Sequence, residues 1–172
     1  VTTFGRVLFV SVLLLLCGGC GYHFAGEGRG PEPGITSVAI PVFENLTAEP
    51  GLEPIFTGAL RREFLLRSRI KLVPRRQADA VFLGRITRLS TSSVAHRQSQ
   101  DTTLTRLAVT VDVRCVDERT QTVLWQARSL TYFQDYLQDS DPMVSFQNRQ
   151  EALKTAARDL AVRIHDRFLS RF

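Results

Sequence analysis

The side chains able to do chemistry in this chain of 172 residues are few, and most are isolated. Cys17 and Cys20 stand three residues apart at the end of the apolar run Leu13-Leu14-Leu15-Leu16, with Gly18 and Gly19 between them. Cys115 lies alone, far down the chain. The three histidines, His23, His96 and His165, are scattered, so no zinc cluster can be assembled from them by spacing. Asp139 and Asp141 in Gln138-Asp139-Ser140-Asp141 look like half a calcium loop. They lack its glycine and closing glutamate, so a solvated turn leading into a helix cap is expected. No phosphate loop and no nucleophile elbow occur. An enzyme is not expected, and neither is a bound cofactor or metal.

The cysteine-containing stretch carries the strongest signal. Arg6 gives a short positive region, and residues 7–16 form an apolar stretch too short to span the roughly 30 Å of a bilayer core. It suits the apolar part of a cleaved export signal. Two small residues before Cys20 resemble the lipobox of bacterial lipoproteins, with Cys17 where leucine is usual. That resemblance implies diacylglyceryl transfer to the Cys20 thiol, cleavage before Cys20 and N-acylation of the new amine. The rival acceptor, Cys17, follows the bulky Leu16. The alternative is an ordinary soluble-secretion signal. Gly21 stands where lipoproteins retained at the inner membrane carry Asp. The resemblance therefore implies the outer membrane, periplasmic side. Residues 1–19 are read as signal peptide, 20–34 as lipidated N-terminus and Gly/Pro-rich flexible tether, and 35–172 as one domain.

Removal of residues 1–19 leaves 153, a length that buries a full core without staples. With Cys20 acylated, Cys115 has no disulfide partner. The formal charge of +5 is mild. Nucleic acid is excluded as the partner of an exported lipoprotein, whereas anionic lipid or glycolipid phosphate fits.

The pattern along the chain then gives the elements. Residues 35–43 read as a strand, with Val38, Ile40 and Val42 on one face, Ala39 and Phe43 on the other, and Pro41 requiring an edge or bulge. Residues 44–54 read as a loop. Residues 55–69 read as a helix with the stripe Phe56, Leu60, Phe64. Residues 71–74 read as a short strand that completes a parallel, right-handed β-α-β unit. Long strands follow at 80–94, 104–117 and 123–136, joined by a polar turn at 96–103 and a tight turn at 118–122, hence antiparallel. Leu107, Val109, Val111, Val113 and Cys115 alternate with polar residues, which makes Cys115 a buried core thiol. Asp141-Pro142 starts a C-terminal helix with Leu153, Ala157, Leu160, Ile164 and Phe168 on one face. The expected fold class is α/β: a two-layer sandwich in which a mixed, mostly antiparallel sheet carries two helices on one face, in β-α-β-β-β-α order.

Two basic sets remain. Arg61, Arg62, Arg67, Arg69, Lys71, Arg75 and Arg76 form a dense cluster around the first helix, which reads mainly as a solvated face. Arg85, Arg88, Arg97 and Arg106 lie on the long strands and their turn. If the domain binds an anionic glycolipid, these four are the expected contacts, because hairpin tips carry ligand contacts more often than helix backs.

Several segments together resemble the LptE family of lipopolysaccharide-assembly lipoproteins. They are Gly19-Cys20-Gly21-Tyr22-His23-Phe24, Val38-Ala39-Ile40-Pro41-Val42-Phe43-Glu44-Asn45-Leu46-Thr47, Glu49-Pro50-Gly51-Leu52-Glu53 and Ala59-Leu60-Arg61-Arg62-Glu63-Phe64. Ala78-Asp79-Ala80, Val111-Asp112-Val113-Arg114 and Val123-Leu124-Trp125 follow in the same order. The resemblance implies a non-enzymatic outer-membrane lipoprotein. It would bind and plug the LptD β-barrel, bind lipopolysaccharide and assist its insertion into the outer leaflet. The runner-up is a periplasm-facing lipoprotein of the LpoB kind that activates a peptidoglycan synthase, since residues 38–47 also resemble its first strand. A tether of about fourteen residues reaches under ~50 Å, which suits a partner in the same membrane instead.

Overall fold

The apolar alternation from Leu107 to Cys115 organises the whole molecule. In the computed structural model, which describes residues 35–97 and 102–170, these five residues are buried in one row under both helices. They belong to strand β5 (Thr102–Asp117). It pairs antiparallel with β4 (Ala80–Arg97) on one side and β6 (Val123–Gln138) on the other. Short strands complete the sheet: β1 (Ser37–Ala39), β2 (Glu44–Asn45) and β3 (Lys71–Leu72). The sheet runs β3-β1-β4-β5-β6, with β2 also paired to β4. β1 is parallel to both β3 and β4, so the sheet is mixed as expected.

Six strands stand among the described residues, where the sequence pattern gives five and the expected order counts four of them. The strand expected at 35–43 is divided by Pro41, which can donate no ladder hydrogen bond. Beyond it, Glu44 and Asn45 rejoin the sheet beside Arg85 and Ile86. The division also turns the side chains. Val42 is exposed, not aligned with Val38 and Ile40, and Phe43 is buried in the core instead. β3 stands separately, followed by a 3-10 turn at Arg75–Gln77. The hairpin is longer than the sequence pattern indicates. β4 reaches Arg97 and β5 begins at Thr102, so four of the eight residues of the polar turn expected at 96–103 are strand.

Helix α1 (Leu52–Arg67) begins after Gly51, whose φ of 83° suits a residue without a side chain. It buries Leu52, Phe56, Leu60 and Phe64. Helix α2 (Pro142–Leu169) starts as its sequence dictates. The Asp141 carboxylate accepts the Met143 N–H at 2.8 Å, and Pro142 occupies the first turn. The turn before it is the solvated cap expected of Asp139 and Asp141. The two helices meet the sheet at an aromatic cluster. Phe82 lies 4.9 Å from Phe64 and 4.8 Å from Phe168, ring centre to ring centre, and Trp125 lies 5.9 Å from Phe168. One residue from each helix and two from the sheet thus share a single contact set.

This arrangement gives the domain two ends. At the first lie Thr36, the start of β3, the C-termini of both helices and the β5–β6 turn. At the second lie the open ends of β4 and β5, the end of β6 and the start of α2. Strands of 16 to 18 residues put roughly 50 Å between the two.

Candidate functional site

The sheet face away from the helices carries the residues of interest. On β5, Arg106, Ala108, Thr110, Asp112 and Arg114 alternate with the buried row, so they line this open face. Arg85 is the register partner of Asp112, and Arg88 that of Thr110. Both arginines reach the same face because Thr87 is an extra residue between them, a β-bulge that resets the alternation. Arg106 pairs with Ser92 on one side and Asp135 on the other.

Of the four arginines singled out from sequence, three thus share the open face, but as a row and not a pocket. Arg88 is about 7 Å along the strands from Arg85, and Arg106 about 13 Å beyond it. Arg97 pairs with Thr102 at the last described step of the hairpin. Their environments differ. Arg85 donates to the Glu44 carboxylate at 2.8 Å. Arg106 holds Asp135 in a two-point contact at 2.7 and 2.8 Å. That pairing keeps the Asp135 carboxyl below its usual range and raises the Arg106 guanidinium. Arg88 is exposed and makes no ion pair among the described residues. Cys20 lies outside the described residues.

Sequence reasoning missed the neighbours that make this face concave. Arg114 and Arg128 join Arg85, Glu44 and Asp112 around a hollow of about 540 Å³ on the open face. Asp112 is fixed there by accepting the Ser129 N–H at 2.7 Å, at a second bulge where Ser129 takes a φ of 52°. The alternation of β5 did place Arg114 and Asp112 on one face. That Arg128 joins them follows only from the bulge, which leaves no signal in the sequence.

Three of the seven members of the basic cluster around α1 are committed to the fold. The Arg61 side chain donates to the Ile40 carbonyl at 2.8 Å. Arg67 pairs with Glu63 and with Asp166 of α2, and Arg75 grips Glu118 at 2.8 Å.

Residues 35–168 match the sequence pattern of the LptE lipopolysaccharide-assembly family. The chain belongs to the LptE family. No curated protein matches it in sequence. Its fold is similar to that of a putative lipoprotein from Caulobacter crescentus, at 15% identity over 74% of this chain and 88% of the other, with a TM-score of 0.52. It is also similar to a hypothetical protein from Chlamydia trachomatis, at 12% identity over 78% and 98% of the two chains, with a TM-score of 0.51. At such identities the likeness concerns the fold alone. LptE proteins are non-enzymatic outer-membrane lipoproteins, and a role in lipopolysaccharide assembly follows from membership. Among the described residues no helix is long and apolar enough to cross a membrane.

Proposed function

We propose that this LptE protein is acylated on Cys20, sits on the periplasmic side of the outer membrane, and binds and plugs a β-barrel of the LptD type. In that complex it assists the insertion of lipopolysaccharide into the outer leaflet and catalyses no reaction itself. The observation that carries the reading is the family match across the whole folded domain. The chemistry of the surface supports it. The row Arg85, Arg88, Arg106 on the open face offers guanidinium groups to the phosphates of lipopolysaccharide. At the second end of the domain, Leu137, Met143, Val144 and Phe146 are exposed around the junction of β6 and α2. A group of exposed apolar residues suits a surface that a partner covers.

The test is purification of the acylated protein from outer membranes, with identification of what accompanies it. An LptD-type barrel is the expected companion, and a penicillin-binding protein in its place would overturn the reading. Cys20→Ala should abolish acylation and release the protein from membranes. Acylation that survives this change and is lost in Cys17→Ala would move the anchor.

A further inference from the structure

The exposed end of α1 lies where the chain enters the domain. Lys71 donates its backbone N–H to the Thr36 carbonyl at 2.9 Å, and Ser37 and Lys71 are register partners. The entry point is therefore four to five residues of chain from the last turn of α1. That turn shows Leu65 and Leu66, 66% and 70% exposed, the two most exposed large apolar residues among those described. Arg62 precedes them by three and four residues, which puts it on the same helix face. Arg69 follows just past the helix end and is also exposed. Lys71 and Arg76 stand beside them on β3 and the 3-10 turn. Arg62, Lys71 and Arg76 are exposed and make no ion pair among the described residues, in contrast to Arg67 and Arg75.

Two bare leucines framed by basic side chains form a surface with a specific chemistry. The leucines favour an apolar medium. The arginine and lysine stems extend over it and keep their charges among anions. An acyl-chain boundary beneath anionic headgroups supplies both at once. We infer that this end of the domain docks onto an anionic phospholipid leaflet, with Leu65 and Leu66 at the headgroup boundary and Arg62, Lys71 and Arg76 on lipid phosphates. The occupant is chosen by where the chain leads. Fourteen residues lie between Cys20 and Ile35. A Gly/Pro-rich tether of that length, as the composition predicts, has an end-to-end distance of about 20 Å. An anchor at Cys20 holds this end of the domain, and not the far end of the β4–β5 hairpin, close to the leaflet. The inference thus rests on the anchor reading for its local concentration, but not for its chemistry. It concerns the lipoprotein free of its barrel. Docked this way, the domain directs the open hairpin end roughly 50 Å from the leaflet.

The experiment uses the mature chain, residues 20–172, acylated and, separately, with Cys20→Ala. Its core is built wholly from residues between Val38 and Phe168. An environment-sensitive dye is attached at Leu66→Cys or, as a control, at Phe133→Cys on the open face. Cys115 is fully buried and does not compete for the dye. Vesicles contain brominated lipid with phosphatidylglycerol, or phosphatidylcholine only. The dye at residue 66 should be quenched on phosphatidylglycerol vesicles and the dye at residue 133 should not, in both forms of the protein. The Cys20→Ala form should need far more lipid. Arg62→Gln with Arg76→Gln should weaken its partitioning about tenfold. Quenching that depends on acylation alone, or is equal at the two positions, would overturn the docking while leaving the anchor standing. So would shielding of the residue-66 dye without vesicles, which would assign the patch to a second copy of the chain. A chain with Cys20 intact that is not acylated, with the quenching of the Cys20→Ala form unchanged, would instead remove the anchor and keep the docking.

Discussion

The ring of Phe43 lies directly over the α-carbon of Gly84. A methyl group built on Gly84 would stand 2.3 Å from the Phe43 ring, closer than any real contact. Phe43 has little room to retreat. It is buried, and its backbone N–H is held by the Thr57 hydroxyl at 2.9 Å. Gly84→Ala should therefore destabilise the domain by about 1–3 kcal/mol, the usual cost of overpacking a tight core. Phe43→Leu in the same chain should recover part of that loss, because a smaller side chain clears the contact. Chemical denaturation of the single and double variants measures both. An additive double variant would show that the two sites do not meet.

A second expectation concerns the clasp between the entry strand and β4. One carboxylate oxygen of Asp79 accepts from the Thr36 N–H and hydroxyl at 2.9 and 3.0 Å, and from the Ser37 N–H and hydroxyl at 2.9 and 2.8 Å. The Ser37 hydroxyl, foremost, and the other donors hold the Asp79 carboxyl below its ordinary value of 3.8. The charged form is thus favoured in the folded state. Its contribution is present above about pH 4 and is lost as pH falls through the lowered folded value. Asp79→Ala should cost about 1 kcal/mol at neutral pH, kept small by the site's access to water. It should also flatten the acid limb of the stability curve. An unchanged acid limb would assign acid sensitivity to other carboxyls, Glu49 beside Arg149 first among them.

Cys115 faces Trp125 across the β5–β6 ladder and is fully buried. Burial, with a smaller push from the Asp117 carboxylate, raises its thiol to about 12. The thiolate that reacts with electrophiles is then scarce at any physiological pH. A thiol reagent at about pH 8 should leave the native domain untouched and label it fully after denaturation. Rapid native labelling would mean that β5 opens far more readily than its neighbours.

What the sequence disclosed and what it hid divide along a physical line. The faces of β5, α1 and α2 were readable because burial leaves a periodic apolar trace, and Asp141-Pro142 was readable because caps are local. β2 left no trace: two residues held by backbone pairing need no particular side chains. The upper hairpin was under-read for a related reason. Residues 90–95 are exposed, polar apart from Val94 and Ala95, and show no alternation, yet the ladder to β5 continues through them. The bulges at Thr87, Val94 and opposite Asp112 are equally silent, and they decide which arginines share a face. The sequence pattern placed Arg85, Arg88 and Arg106 on the long strands, and put Arg97 in the turn, where β4 in fact continues. It could not tell that Arg85 and Arg106 already hold carboxylates while Arg88 does not. His165, whose Nε2 meets no partner among the described residues, is buried beside Ala161, Ile164 and Phe168 on the apolar face of α2.

That difference in partners ranks the arginines for an anionic ligand. Arg106 must give up its two-point contact with Asp135 before it can take a phosphate, whereas Arg88 has no ion pair to give up among the described residues. If lipopolysaccharide phosphates bind the open face, Arg88→Ala should weaken binding more than Arg106→Ala. Asp135→Asn should strengthen it, because it frees the Arg106 guanidinium and removes a repelling charge. All three effects should shrink as salt is raised, since exposed charges are screened over about 8 Å at physiological ionic strength. Folding should barely respond, because an exposed ion pair contributes little. The suitable control on the helix side is Arg158→Ala, exposed on α2 and outside the docking patch, and not Arg61→Ala, because Arg61 donates to the Ile40 carbonyl and its loss would damage the fold. The measurement is a titration of each purified variant with lipopolysaccharide at two salt concentrations, with circular dichroism to confirm native structure. Equal losses at Arg158, Arg88 and Arg106 would reduce the attraction to net charge. A weaker Asp135→Asn variant would mean that the Arg106–Asp135 pair is part of the binding surface as it stands.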